Sequence, residues 1–306
     1  MNPSNPELNP HEIQKAIRRL EKLRHEPAEI PDFESALTPL LCGYTVDAPR
    51  FAAGMYLYRG RKCAKPASIR DLTYPPAECV RSPGRANEIG QAIFYGAAAR
   101  EIPFFELDAQ PGEGLAISKW KTTQPILLNH IGFSTEPETF KDAKRKLDTV
   151  YDFVRGTRQK CNLNALVHDY LAYNFARSAN DGDGRVYEFT NAISRKLFAD
   201  PLLDGLLYPT IEMSGNADNV ALKPQTVDRA LTFVSVEYVA VKARVGMRCD
   251  IDILDSATKS DLIGTLSWMG RGLQWKLRHQ GERLTIRVEN GERVAYDLVG
   301  NRVDPE

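Results

Sequence analysis

The chain has 306 residues, 42% of them hydrophobic, which is enough to bury a core without disulfides or metals. Its 40 basic and 40 acidic side chains cancel, which argues against a nucleic-acid binder, whose surface would carry a basic surplus or a clustered basic face. Five cysteines, Cys42, Cys63, Cys79, Cys161 and Cys249, are odd in number and scattered, so no CxxC pair seeds a zinc site and a disulfide scaffold is excluded.

Residues 1 to 10 are rich in Asn and Pro and are expected to lack fixed structure. From His11 to His25, Ile13, Ile17, Leu20 and Leu23 fall at helical spacing between Lys and Arg, which predicts one amphipathic helix. Prolines at 27, 31 and 39 punctuate the next stretch and place the start of the core near Ala48. Ala53 to Arg61 alternates like a strand that ends by presenting Arg59 and Arg61. A Pro-rich loop follows through Pro66 and Pro75-Pro76. Ala92–Tyr95 and Phe104–Leu107 read as short strands on either side of a helical turn at Gly96–Ala99.

Ile126 to Ile131 predicts an apolar strand, and helices are expected over 137 to 155, 163 to 177 and 187 to 198. The basic cluster Lys141–Lys146, interrupted by Asp142, reads as a solvated helix face. Asp181-Gly-Asp-Gly-Arg185 starts like a calcium loop but has Ala192 where the twelfth-position Glu should stand, so it is a turn. Gly112-Glu113-Gly114 lacks the Lys and Ser/Thr of a phosphate loop and is also a turn. After Pro224 the pattern becomes β-rich: Leu231–Val245 is one long strand, and 283–288 with 293–298 form a hairpin around Asn290-Gly291. Trp268 and Trp275 belong to the core of this region.

No apolar run reaches the ~18 residues of a membrane span, and the N-terminus is polar, so a soluble, cytoplasmic protein is expected, without a membrane or nucleic-acid partner. The segment Arg81–Leu107 carries most of the chemistry: a guanidinium at Arg85, a carboxamide at Asn87, a ring at Tyr95 and a carboxylate at Glu106. Arginine suits bidentate contact with phosphate, so Arg59, Arg61 and Arg85 together could surround a pyrophosphate without a basic net charge. An ionised Glu106 would stabilise an oxocarbenium-like ribosyl cation and accept a proton from an attacking water. Further on, Tyr208-Pro209-Thr210 and Asn219 place a hydroxyl and an amide near polar loops, where capping and ligand contact are both open.

Arg59 and Arg61, then Gly84-Arg85-x-Asn87, Tyr95, Glu106 eleven residues on, Gly205-x-x-Tyr208-Pro209-Thr210 and Asn219-Val-Ala-Leu222 together resemble the RES-domain family. The resemblance spans residues 50 to 245. It implies an α+β fold of the ADP-ribosyltransferase-like type, with mixed sheets and flanking helices, as a catalytic domain at 48–245. An N-terminal helical extension at 1–47 and a β-rich C-terminal extension at 246–306 would lie outside it. It also implies NAD as substrate, no metal, and a toxin-like activity that splits NAD with water or phosphate or transfers ADP-ribose to a protein. A non-catalytic nucleotide-binding regulator is the alternative. The named arginine and glutamate of the family would be Arg85 and Glu106, with Tyr95 beside the nicotinamide. Arg59 and Arg61 would face the pyrophosphate and adenosine, with polar contacts from Asn87, Ser118, Tyr208 and Asn219. The family's serine is replaced by Thr210, which keeps a hydroxyl and adds a methyl. An antitoxin or other regulatory protein, and a homo-oligomer, are the partners this implies.

Overall fold

A computed structural model describes residues 8–44, 48–131, 162–178, 185–213, 215, 217–246, 248–270, 273–278, 285–289, 292–296 and 302–303. The expected helix over 137–155, the basic cluster 141–146, Asp181–Gly184 and Cys161 lie outside the described residues. The chain folds into a mixed α+β architecture divided into two compact units, Met1–Met55 with Tyr74–Ala98 and Thr122–Leu231, and Tyr56–Thr73 with Ala99–Lys121 and Thr232–Glu306. These units follow packing, and they are not the sequence segments 1–47, 48–245 and 246–306.

In the first unit, α1 (Pro10–Leu23) starts where the Asn9 side chain accepts hydrogen bonds from the backbone N–H groups of His11 and Glu12, with Pro10 in the first turn. Helix α2 (Ile30–Leu41) occupies the stretch that prolines 27, 31 and 39 punctuate. Pro31 lies in its first turn, where no N–H is needed, and Asp32 accepts from the backbone N–H of Glu29. The apolar spacing of Phe33, Ala36, Leu37 and Leu40 outweighs Pro39 inside the helix, and all four are buried. The core therefore begins with Ile13 of α1 rather than near Ala48.

The same core takes in α4 (Asn162–Phe175) and α5 (Val186–Phe198), the two helices anticipated over 163–177 and 187–198. Phe33 of α2 stacks on Phe189 of α5 at 5.3 Å between ring centroids. The sheet of this unit has the order β1 (Arg50–Phe51), β5 (Ile126–His130), β6 (Gly205–Pro209), β7 (Asp218–Leu222), β3 (Phe94–Ala97). Strands β5 and β6 are parallel and the other pairs antiparallel. Gly96 and Ala97, read from sequence as a helical turn, are strand residues paired with Val220 and Asn219. Small side chains are also tolerated in a buried strand between packed neighbours, and pairing decides the matter. Helix α6 (Pro224–Ala230) closes the unit, with Thr226 and Arg229 both bonded to Asp204.

The second unit holds β2 (Tyr56–Lys62), β4 (Gly114–Thr122), β8 (Leu231–Val245), β9 (Arg248–Ser260) and β10 (Leu266–Trp268) in that order, with β11 (Leu273–Arg278) also on β9. The long β8 has the bounds its alternation predicts. Strands β12 (Thr285–Glu289) and β13 (Glu292–Tyr296) form the expected hairpin, and β14 (Arg302–Val303) pairs with β13. The segment Phe104–Leu107 is not a strand: Ile102–Glu106 forms the short helix α3. Pro103 favours a helical first turn, and four consecutive apolar residues, Ile102 to Phe105, are all buried. Gly60 of β2 allows the helix to approach, since a Cβ there would lie 2.6 Å from that of Pro103.

Candidate functional site

Strand register in the first unit sorts the polar residues. Tyr95, Ala221, Leu206 and Asn129 form one cross-strand row, and Ala97, Asn219 and Tyr208 the next. Leu206, Tyr208 and Ala221 belong to the helix-covered core, so this is the face beneath α1, α2, α4 and α5. Asn129, Asn219 and Tyr208 are thus polar residues on a buried face, with 3%, 5% and 6% exposure. The Tyr208 ring meets Phe175, the last residue of α4, edge-on at 5.4 Å.

Against this corner sits the turn Gly84-Arg85-Ala86-Asn87. It is closed by a hydrogen bond from the Gly84 N–H to the Asn87 carbonyl, 2.9 Å. The Tyr95 hydroxyl accepts from the Ala86 N–H at 2.8 Å and donates to Asn87 Oδ1 at 2.7 Å. A side chain at 84 would collide: a Cβ would stand 2.7 Å from Tyr95 Oη and closer still to Asn87 Oδ1. Glycine is therefore required by close approach. From α5, Asn191 Nδ2 donates to the Gly84 carbonyl at 3.1 Å. One residue past the turn, Glu88 pairs with Arg195 of α5, which also pairs with Glu34 of α2.

The half-buried Arg85 donates from Nη1 to the Phe175 carbonyl at the C-terminal end of α4, where carbonyls lack helical partners and carry partial negative charge. This fixes the guanidinium while engaging a single nitrogen of a five-donor fork among the described residues. The Tyr95 hydroxyl is committed to the turn, so its contribution to a ligand is the half-buried ring. Asn191 Oδ1 and Ser194 Oγ, both on α5 in residues 1% exposed, have no hydrogen-bond partner among the described residues. Buried polar atoms are nearly always paired, so such a pair of acceptors marks capacity for a polar guest. A held guanidinium can bind an anion, and the Tyr95 ring and the unpartnered Asn191 Oδ1 can meet an attached planar, hydrogen-bond-donating group.

The structure thus brings Asn87 and Tyr95 into direct contact, carries Arg85 in the same turn, and places Tyr208 and Asn219 on the neighbouring row of the same face. Thr210 follows β6 and is fully buried, its N–H bonded to the Ala217 carbonyl and its carbonyl accepting from Gly215. Arg59, Arg61, Glu106 and Ser118 belong to the second unit. There Arg61 donates to the Asp71 carbonyl, and Glu106 is the exposed last residue of α3. Ser118 is buried in β4, where its hydroxyl donates to the Arg59 carbonyl and accepts from Trp120 Nε1. Sequence reasoning missed Asn191 and Ser194. The signal was present as polar residues three apart inside an otherwise core-forming helix, between Phe189, Ala192, Ile193 and Leu197.

Among the described residues no group of three or more His, Cys, Asp or Glu is arranged to hold a metal ion. No helix among them is long and apolar enough to cross a membrane. The sequence matches no known family model and no curated protein.

Proposed function

We propose that the chain binds NAD and breaks the bond between nicotinamide and ribose, with water or phosphate as the second substrate. The observation that carries this reading is the turn Gly84–Asn87, clamped by Tyr95, Asn191 and Phe175 so that Arg85 is held at a buried polar corner. A fixed guanidinium is suited to a pyrophosphate, and the Tyr95 ring to a planar heterocycle. The resemblance to the RES-domain family, and through it an ADP-ribosyltransferase-like fold, supports the same assignment.

In this reaction the C–N glycosidic bond breaks, nicotinamide leaves with the bonding electrons as a neutral molecule, and the ribose carbon becomes cationic. The nucleophile's oxygen then bonds to that carbon and releases its proton. Glu106 is the carboxylate that stabilises the cation and takes the proton. The roles of Glu106, Arg59 and Arg61 in this reading rest on the resemblance alone, and Ser118, whose hydroxyl is taken up by the Arg59 carbonyl and Trp120 Nε1, serves the framework in it. Thr210 serves as the hydroxyl where the family has serine. The scattered cysteines, with Cys42, Cys63, Cys79 and Cys249 all free thiols, support a reducing, cytoplasmic setting. A regulatory protein that restrains the activity is part of the same proposal.

The test is to incubate the purified protein with NAD, with and without phosphate, and resolve the products. Nicotinamide with ADP-ribose identifies hydrolysis, and a phosphorylated ADP-ribose formed only with phosphate identifies phosphorolysis. Nicotinamide released only with an added protein identifies transfer. NAD bound without any release makes the protein a nucleotide-binding regulator, and neither binding nor release rejects the reading.

A further inference from the structure

Within the first unit, Glu21, Arg24, Tyr170 and Asn174 tie the end of α1 to the last turns of α4. Arg24 follows α1 as its C-terminal cap, and its side chain is only 3% exposed. A guanidinium that far from water is tolerated only where partners meet its charge and its donors. Here Nη1 donates to Asn174 Oδ1 at 2.9 Å and pairs with Glu21 Oε2 at 3.2 Å. The other Glu21 oxygen accepts from the Tyr170 hydroxyl at 2.9 Å. Burial, followed by the Glu21 charge, pushes that hydroxyl well above the usual phenol range, so it stays a donor at every physiological pH.

Asn174 is held at both ends of its carboxamide. Oδ1 takes the Arg24 bond, and Nδ2 donates to the Tyr170 carbonyl one turn back at 2.8 Å. Asparagine inside a helix usually turns outward or competes with the backbone. This one is 2% exposed, and the partner that makes its burial tolerable lies 150 residues away in sequence.

The next residue is Phe175, whose carbonyl accepts from Arg85 Nη1. Carbonyls in the last turn of a helix lack partners within it, and helix ends fray, so the direction of the Phe175 carbonyl depends on what anchors the final turn. Two anchors flank it. One is the Phe175 ring, fully buried and edge-on to Tyr208, and the other is the Asn174 carboxamide clamped from α1. Arg24 is therefore two hydrogen-bonded links from Arg85, and it touches neither Arg85 nor the turn Gly84–Asn87 through any of the bonds described here.

We propose that Arg24 is a positioning residue for Arg85: by clamping Asn174 it sets the end of α4 whose Phe175 carbonyl aims the Arg85 guanidinium at its anion. The inference rests on the NAD reading for the identity of that anion. It makes the N-terminal helix part of the binding machinery, although that helix lies outside the residues that carry the family resemblance.

Two measurements on the full chain test it, one without NAD and one with it. Phenylglyoxal, which adds to guanidinium groups, should modify Arg85 about three- to tenfold faster in Arg24→Ala than in the parent, the factor expected when one hydrogen bond's worth of restraint is lost. Peptide mapping reads that rate at Arg85 alone. Asn174→Leu removes the same link while leaving the Arg24–Glu21 pair in place, and it should accelerate Arg85 as well, so it carries the test if Arg24→Ala fails to fold. In calorimetry, Arg24→Ala should weaken NAD binding by a similar factor of about three to ten in the parent and have no effect in an Arg85→Ala background, since coupled residues are not additive. A residue that merely holds α1 on α4 would cost the same in both backgrounds. The proposal is overturned if Arg85 reacts at the parental rate in a folded Asn174→Leu protein, or if the loss of NAD affinity persists without Arg85. Acceleration of Arg85 in a protein that binds no NAD would support the positioning role and reject the NAD reading instead.

Discussion

Ser118 in the second unit and Ser194 in the first are equally buried, at 0% and 1% exposure, and spend their hydroxyls differently. Ser118 Oγ donates to the Arg59 carbonyl and accepts from Trp120 Nε1, joining β2 to β4 and satisfying a buried indole. Ser194 Oγ has no partner among the described residues, and neither has Oδ1 of Asn191 one turn earlier on α5. Leaving a buried polar group unmet costs about 1–3 kcal/mol, so the two serines mark different uses of burial. One consolidates a sheet, and the other lies one turn along α5 from Asn191, which bonds the turn that carries Arg85. The difference separates a framework residue from a binding corner more clearly than residue type does.

The largest effect expected is chemical. Glu106→Gln keeps the shape of the exposed terminus of α3, so melting should be unchanged, while nicotinamide release falls by about 10² to 10³. More than half of the parental rate in the purified variant would end the catalytic assignment. Gly84→Ala should be the most damaging to the binding corner itself, because the added Cβ drives into Tyr95 and Asn87. A loss of about 1–3 kcal/mol is expected in chemical denaturation, and an unchanged midpoint would show that the turn yields freely. Ser118→Ala sharpens the contrast from the other side. Removing its hydroxyl strands the Trp120 N–H at a cost of about 1–3 kcal/mol, yet NAD affinity measured by calorimetry should not move. The smallest effect is in thiol chemistry. Burial pushes the Cys249 thiol up to about 11, so alkylation near pH 8 should label the exposed Cys42 and Cys79 of the first unit and spare Cys249. Peptide mapping that finds Cys249 labelled as fast would show that the second unit opens readily.

Much of the fold was legible where one periodicity ran long enough. The spacing of Ile13, Ile17 and Leu20 gave α1, alternation gave β8, and Asn290-Gly291 gave the hairpin β12–β13. Short or mixed signals misled. Phe104-Phe105 suits a strand by composition, but Pro103 and the opening at Gly60 make it helical. Prolines 31 and 39 hid the bounds of α2, although the first sits where a helix needs no donor and the second is outweighed by buried Leu37 and Leu40. In the candidate site, Arg85, Asn87 and Tyr95 were visible because their spacing is local. Phe175 was invisible because its contribution is a backbone carbonyl from a helix 90 residues away, a link only folding creates.

The most direct test of the central claim is calorimetric titration of NAD into the parent and into Arg85→Ala, with thermal melting in parallel. Removing the guanidinium should weaken NAD binding by about 1.5–3 kcal/mol, as expected for lost charge-assisted hydrogen bonds. The variant should still fold, because the interaction lost from the fold is a single cap on the end of α4. A folded Arg85→Ala protein that binds NAD as tightly as the parent would contradict the account and reduce the turn to a structural clasp.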